Sequence, residues 1–203
     1  MPHQTSLLRK VLHQPTRVVP VLLALGRGWW CKLWYPLTGR RFTAGRNFRV
    51  EGRLQLQGPG QVIFGDNVII GMTVTPWTHH PNAVITVGDG TFLNGARFGC
   101  AERITIGARC IIGESRFMDT NFHSVEINRH DPTAPVTVAP ITIGDNVWVA
   151  ASCGLLPGTQ VGTNSVVGFG SVCNGVYPAD ALIAGNPARV LRTLVPPPDT
   201  RPD

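Results

Sequence analysis

The sequence is short of charge, of long apolar runs and of paired cysteines. Charged residues make up 15% of its 203 residues. The apolar run nearest the start, VVPVLLAL at 18–25, has eight residues, whereas a membrane-spanning helix needs about twenty. The five cysteines include no CxxC pair, which argues against a disulfide framework or a zinc knuckle and favours a reducing compartment. We expect a cytoplasmic chain; a secretory signal peptide is disfavoured because Arg27 and Lys32 follow the run closely.

Acidic residues are almost absent from the first quarter of the chain. Residues 1–53 contain ten Lys or Arg and one acid, Glu51, so their net charge is +9. Residues 54–203 contain eight basic and eleven acidic residues, so their net charge is −3. We interpret 1–53 as a basic, partly helical arm on a mildly acidic body. A charge confined to an arm is not the basic face of a nucleic-acid-binding protein, and no such partner is expected.

The arm is also rich in aromatic residues, which leaves two hypotheses open. Trp29, Trp30, Trp34 and Tyr35 follow the apolar run. Tryptophan, tyrosine and basic residues together favour peripheral contact with an anionic membrane at its cytoplasmic face. The same residues also suit a helix that packs over one end of the body of the protein, as is needed where that body is built from stacked repeats whose ends must be covered.

An apolar residue recurs every six positions through the last third of the chain. The repeat runs without a slip through Ile143, Val149, Leu155, Val161, Val167 and Cys173. Six residues fit neither a helix nor a simple strand, but they fit a short strand plus a corner, repeated on flat faces. This period predicts a parallel β-helix in which three hexapeptides form one coil. Cys110, Cys153 and Cys173 lie on interior positions, and we interpret them as small apolar fillers.

The repeat is looser upstream and stops at one segment. Pairs six apart include Phe64 and Ile70, Val87 and Leu93, and the run Ile106, Ile112 and Met118. The repeat then disappears over residues 118–140 and two histidines appear. We predict an all-β chain with a β-helix over 54–183, a protruding loop over 118–140 and a C-terminal tail over 184–203.

Four motifs resemble the hexapeptide-repeat acyltransferases, in particular the maltose, galactoside and exopolysaccharide O-acetyltransferases. They are IGDNVW (143–148), PGTQVG (157–162), VVGFGSV (166–172) and AGNPARVLR (184–192), preceded by DTNFH (119–123) and a loop. The resemblance covers about residues 60–192. It implies a left-handed parallel β-helix, a homotrimer, and acetyl-coenzyme A bound in the groove between neighbouring β-helices. It also implies that the loop builds an active site.

The resemblance aligns His123 with the catalytic histidine of the family. An alkyl hydroxyl needs a base to take its proton as it attacks a thioester, and the pKa of histidine suits this task. The other ring nitrogen needs an acceptor. Asp119, Glu126, Asp131 or a backbone carbonyl remain open for that role, with Asp119 or a carbonyl favoured.

Three further residues are expected to contact the acceptor. The resemblance places Asn94 and Trp148 there, and Asp119 stands in a slot where glycine is usual. Backbone N–H groups near IGDNVWVAAS are candidates to stabilise the tetrahedral oxyanion.

Acetyl-coenzyme A is expected to run along the last coils. The expected contacts are Ala151, Gly168, Phe169, Ser171, Arg189 and Arg192. Arginine suits phosphates because its charge is permanent and two of its N–H groups can bind two phosphate oxygens at once. The chain departs from the family at Gly175, where a lysine that would meet a phosphate is common.

We therefore predict an O-acetyltransferase that moves acetyl from acetyl-coenzyme A to a sugar or polysaccharide-precursor hydroxyl. The alternatives are another acceptor (serine, an antibiotic or an amino sugar) and a non-catalytic scaffold at the membrane. No metal is expected. A zinc carbonic anhydrase of the same fold has two histidines five apart, whereas His123 and His130 are seven apart. We expect His79 and His80 to line a loop or the rim of the acceptor site.

Overall fold

The computed structural model describes residues 15–195. Helix α1 (Pro15–Leu37) precedes the strands, as the expectation of a partly helical arm requires. It ends just before Gly39, whose φ of +77° is the left-handed conformation that commonly follows a helix. Within these residues, no helix combines the length and apolarity that a membrane crossing demands.

Short strands follow in a repeating order of three. The first four coils are β1 (Arg41–Ala44), β2 (Arg49–Val50), β3 (Arg53–Leu54); β4 (Gln61–Phe64), β5 (Ile69–Ile70), β6 (Thr73–Thr78); β7 (Val84–Val87), β8 (Phe92–Leu93), β9 (Arg97–Cys100); β10 (Arg103–Ile106), β11 (Ile111–Ile112), β12 (Arg116–Met118). The last three are β13 (Ile141–Ile143), β14 (Trp148–Val149), β15 (Gly154–Leu155); β16 (Gln160–Val161), β17 (Val166–Val167), β18 (Val172–Cys173); β19 (Val176–Tyr177), β20 (Ala181–Gly185). Strand β21 (Ala188–Thr193) then returns antiparallel to β20.

Equivalent strands of successive coils pair in parallel and form three faces. Face A contains β1, β4, β7, β10, β13, β16 and β19; face B contains β2, β5, β8, β11, β14, β17, β20 and β21; face C contains β3, β6, β9, β12, β15 and β18. We name the corners AB, BC and CA after the faces that they join. The protein is therefore a parallel β-helix of seven coils, as the six-residue repeat predicted.

Each coil turns the AB corner through one residue in the left-handed conformation. The seven residues are Asn47, Asn67, Gly90, Arg109, Asn146, Asn164 and Asp180, with φ between +54° and +68°. Glycine, asparagine and aspartate reach this region at low cost, whereas Arg109 is an exception. Asparagine side chains also bond from coil to coil, as where Asn146 Nδ2 donates to Asn164 Oδ1 at 2.9 Å. The GDN motif is thus the sequence of this corner.

The interior consists of stacked apolar side chains. All six residues of the unbroken repeat, from Ile143 to Cys173, are at most 3% exposed. Cys110, Cys153 and Cys173 are buried. Burial raises the pKa of each thiol, that of Cys173 to about 11. They therefore fill space, as the sequence indicated.

The structure differs from the sequence prediction in two places. The first coil begins at Arg41, well before the predicted start at residue 54. In coil 4 the interior residue of face C is Phe117 and not Met118, because the BC corner of coils 3 and 4 is one residue shorter than that of coils 5 and 6. Phe117 pairs with Leu155 of coil 5. The repeat therefore reaches face C one residue early.

Candidate active site

A groove runs along the outer side of face B. Its floor is a column of outward side chains that parallel pairing places one above another, in the order Phe92, Ile111, Trp148, Val166 and Leu182. The groove has a volume of about 590 Å³. About half of the surface of Ile111 (53%) and of Trp148 (50%) remains exposed. The column joins coils 3 to 7, which spans about 19 Å at about 4.8 Å per coil.

Five residues that the sequence predicted for acceptor or cofactor binding line this groove. They are Asn94, Trp148, Ala151, Gly168 and Phe169. Three of the four BC corners that flank the groove supply Asn94, Ala151 and the pair Gly168–Phe169, while Trp148 lies on the floor. The side chain of Phe169 is 75% exposed. The structure thus brings together residues that are far apart in sequence.

Ser171 is a correction to the predicted cofactor set. Its side chain is fully buried. Its hydroxyl donates to the Gly168 carbonyl at 2.6 Å and accepts from the Gly185 N–H at 3.2 Å. The hydroxyl therefore supports the corner beneath the groove and does not face a ligand.

Arg189 and Arg192 lie at the C-terminal end of the groove. In the β20–β21 hairpin Arg192 stands opposite Leu182 and Arg189 opposite Ala184. Directly opposed residues of an antiparallel pair share a face, so both arginines lie on the side of Leu182, which lines the groove. Both are exposed, and within residues 15–195 neither forms an ion pair.

Asp119 is buried at the base of the loop and does not face a substrate. Its side chain is fully buried. Its carboxylate accepts from the N–H groups of Ala101, Glu102 and Arg103 at 2.7–2.8 Å. Burial and the nearby carboxylate raise the pKa of the Cys100 thiol. The predicted roles of Asp119, as an acceptor contact or as the partner of the catalytic histidine, are therefore wrong: it fixes the corner that begins coil 4.

The predicted loop leaves the β-helix at the CA corner and is closed at its base. Thr120 and Val138 form an antiparallel bridge, and the Ala139 N–H donates to the Asp119 carbonyl at 2.9 Å. Beyond this base the loop is exposed, with Val125 at 73% and Ile127 at 99%.

Phe122 sits in an aromatic seat just before His123. Its backbone is left-handed, with φ of +59°. Its ring centroid lies 4.4 Å from that of His79 and 6.1 Å from that of Trp77. A Cβ on Gly99 would overlap the Phe122 ring. Trp77, His79, Phe122 and Gly99 therefore form one contact surface, which we call the aromatic seat and which sequence reasoning missed because its members are far apart in the chain.

His79 belongs to this seat and differs from His123 in its surroundings. Its Nε2 is buried without a hydrogen-bond partner within the described residues. Burial and the nearby His80 lower the pKa of His79, so its imidazole is neutral at neutral pH. His123, by contrast, is exposed. Its side chain forms no hydrogen bond among residues 15–195, so none of these residues, Glu126 and Asp131 included, acts as an acceptor that orients it.

The groove and His123 lie on opposite sides of face C. Asn94 stands at the BC corner before β9, and His123 follows β12 at the CA corner. The residues between them along one coil, from Asn94 to Cys100, cover up to about 20 Å at about 3.3 Å per residue. No residue of 119–140 lines the groove. One chain therefore carries both halves of the predicted site without bringing them together.

Comparisons with known proteins agree with the fold. Residues 140–175 match the family described as bacterial transferase hexapeptide (six repeats). A crystal structure of a Vibrio cholerae hexapeptide-repeat acetyltransferase complexed with acetyl-coenzyme A is 26% identical, with a TM-score of 0.54, and the match covers 95% of this chain and 92% of that one.

Three relatives are acetyltransferases by name. WcaF of Escherichia coli, named for colanic acid biosynthesis, is 30% identical over 135 residues, which are 64% of this chain and 69% of that protein. WbbJ of E. coli, named as a lipopolysaccharide biosynthesis O-acetyl transferase, is 28% identical over 76% of this chain and 69% of its own length. A Saccharomyces cerevisiae acetyltransferase is 33% identical over 94 residues, and the chain spans about half (47%) of its length.

Proposed function

The chain belongs to the hexapeptide-repeat acetyltransferase family, and we propose that it transfers acetyl from acetyl-coenzyme A to a hydroxyl group of a sugar or polysaccharide precursor. The observation that carries this proposal is the groove on face B, in which five residues predicted from the family motifs meet. The acceptor class follows from two relatives, whose names place them in colanic acid and lipopolysaccharide biosynthesis.

The groove suits the donor in length and character. An apolar floor of about 19 Å, at about 4.8 Å per coil, would receive the extended pantetheine arm. Arg189 and Arg192 would bind the phosphates at its C-terminal end, because both guanidinium groups are exposed there. The Vibrio relative, which is complexed with acetyl-coenzyme A, supports acetyl-coenzyme A as the donor. Gly175 stands where the family commonly has a lysine, and the space around it is open. Arg189 and Arg192 would therefore bind the phosphates without the help of that lysine.

We propose direct transfer with His123 as general base. The acceptor oxygen attacks the thioester carbonyl carbon while an imidazole nitrogen of His123 takes the hydroxyl proton. The carbon–sulfur bond then breaks, and the proton passes to the coenzyme A sulfur. The backbone N–H of Ala151, at a BC corner that lines the groove, would stabilise the oxyanion, because the N–H groups of Ala150 and Ser152 already donate within the β-helix.

We propose that the enzyme is a homotrimer whose active sites lie between subunits. The loop of one chain would reach the groove of its neighbour, because His123 and the groove of one chain are separated by face C. A cyclic arrangement repeats this contact three times and closes.

The reaction would take place in the cytoplasm. All five cysteines, four of them buried, are free, which suits a reducing compartment. The +9 charge of residues 1–53 would bring the enzyme to anionic lipid at the inner face of the cell membrane.

Acceptor-dependent release of coenzyme A tests the proposal. Purified protein with acetyl-coenzyme A should release free thiol only when a suitable hydroxyl compound is added, and a panel of sugars, oligosaccharides, serine and amino sugars would identify the class. His123→Ala protein is the matched control. Release with serine alone would favour the rival acceptor. No acceptor-dependent release across the panel, with acetyl-coenzyme A bound, would favour the scaffold alternative.

A further inference from the structure

Helix α1 packs on the first coil through its smaller side chains. The positions that face coil 1 are Val21, Ala24, Gly28, Cys31 and Tyr35. Ala24 is 1% exposed, and a Cβ on Gly28 would overlap the Phe48 carbonyl oxygen. The Tyr35 hydroxyl donates to the Leu54 carbonyl at 2.6 Å. The helix therefore covers the open end of the solenoid closely.

The opposite side of the same helix is apolar and uncovered. Eight large side chains are 43–72% exposed there: Val19, Leu22, Leu23, Trp29, Trp30, Leu33, Trp34 and Leu37. At 100° per residue they point away from the coil. A helix that is apolar on all sides is normally buried on all sides, and apolar patches of this kind mark interaction surfaces. We call these eight residues the outer face of α1.

Basic residues border the outer face. Arg27 and Lys32 lie on its two flanks and reach the backbone of coil 1, where they donate to the Glu51 and Gly45 carbonyls at 2.9 and 3.0 Å. Residues 1–53 carry +9, and the remaining chain carries −3. Within the described side chains, residues 18–53 hold seven basic residues and one acid, Glu51, so α1 and coil 1 carry a net charge of +6. Positive charge is therefore concentrated at the end of the β-helix that presents the apolar surface.

We propose that the outer face of α1 is a docking surface that inserts into the headgroup region of an anionic membrane. Tryptophan favours that depth, and basic flanks are attracted to anionic lipid. A second copy of the chain would meet the same positive charge and is disfavoured. A helix of this kind lies in the interface and does not cross it.

This geometry orients the enzyme. Because α1 covers coil 1, docking places coil 1 nearest the lipid and coil 7 farthest from it. The groove begins two coils away, at Phe92, or about 10 Å at about 4.8 Å per coil. The orientation itself does not depend on the proposed function. Its consequence does: an acceptor glycan held at the membrane surface would lie beside the site.

Vesicle flotation tests the docking surface. The full chain should float with phosphatidylcholine vesicles that contain phosphatidylglycerol, and less at high salt, because screening shortens the reach of the charges. The variant Leu22→Ser/Trp29→Ser/Trp30→Ser should bind about tenfold or more weakly, since it withdraws apolar area from the lipid. The matched control Val176→Ser/Val195→Ser changes exposed apolar residues at the other end of the chain and should float like the unaltered protein.

Two further readouts separate this inference from the proposed function. Thiol release with a water-soluble acceptor should be equal in all three proteins. Amide hydrogen exchange should slow on vesicle binding over residues 18–54 and stay unchanged over 160–193. Equal flotation of all three proteins, flotation of none, or protection of coil 7 would overturn the proposal. So would a lower molar mass of the α1 variant without vesicles, which would assign the outer face to a second copy.

Discussion

At the scale of the residue, the two histidines near the aromatic seat are separated by their surroundings. His79 is half-buried, with a lowered pKa and a buried Nε2. His123 is exposed and directly follows Phe122 of the aromatic seat. A general base must reach the proton that it takes. His123 is exposed and so is open to a substrate, whereas the His79 ring packs against Phe122.

The first prediction concerns His123. His123→Ala should lower kcat by about 10² or more, the usual scale for loss of a general base, because it removes the imidazole proposed to take the acceptor proton. Steady-state kinetics checks this, together with the Kd for acetyl-coenzyme A, which should stay the same. His130→Ala, in the same exposed loop, is the control and should keep its activity. Full activity in purified His123→Ala protein would contradict the assignment.

The second prediction concerns the arginines at the end of the groove. Arg189→Ala and Arg192→Ala should each raise the KM for acetyl-coenzyme A more than the KM for the acceptor, because they remove phosphate contacts. Arg103→Ala, an exposed arginine on face A, is the control. An unchanged cofactor KM in both variants would remove the arginines from the site.

The residue scale also shows what the sequence could not reveal. Asn94, Trp148 and Gly168 were predicted because family motifs mark them, and they do meet in one groove. The prediction for Asp119 was wrong because the BC corner of coil 4 is one residue shorter than the six-residue repeat requires. A shift of one residue turns a side chain to the other side of a strand. Asp119 therefore lies buried, where three backbone N–H groups bind it.

At the scale of the element, the loop depends on a strand that belongs to another coil. Phe122 rests against Gly99 in β9, and the residue after Phe122 is His123. The absence of a side chain at position 99 therefore sets the position of the loop. Such a link between a β-strand and a loop 20 residues later in the chain has no signal in the six-residue period.

The third prediction follows from this contact. Gly99→Ala should displace Phe122 and lower kcat by about 10- to 100-fold, the scale expected when a catalytic group moves by about 1 Å. The KM for acetyl-coenzyme A should not change. Gly154→Ala is the matched control on the same face, because a Cβ there meets only Val172 at ordinary contact distance. Equal kcat in the two variants would show that the aromatic seat does not position His123.

The regular elements could be predicted only where the repeat is uniform. From Ile143 to Cys173 the repeat residues follow one another by six, and every one is buried. Coil 1 was missed although its buried residues Phe42, Phe48 and Leu54 are six apart, because its basic charge led us to assign residues 1–53 to an arm. The sequence showed that the arm is rich in apolar and aromatic residues. Only the packing of Ala24 and Gly28 on coil 1 shows which side of α1 is left uncovered.

At the scale of the whole molecule, one chain keeps the two halves of the proposed active site apart. The groove lies along face B and the BC corner, and the loop lies at the CA corner, with face C between them. Each half is well formed in one chain. The proposed active site therefore requires two chains, one of which provides His123 and the other the groove.

Activity of mixed subunits tests this claim most directly. One chain carries His123→Ala; the other carries Trp148→Ala, Arg189→Ala and Arg192→Ala, and each alone should be nearly inactive at low acetyl-coenzyme A. When the two are co-expressed and purified together as a trimer, sites formed from the intact His123 of one and the intact groove of the other should restore about a quarter of the activity of the unaltered protein, the share expected for random mixing in a closed ring. Mixed trimers that stay as inactive as the separate variants, or an active monomer by light scattering, would contradict the account.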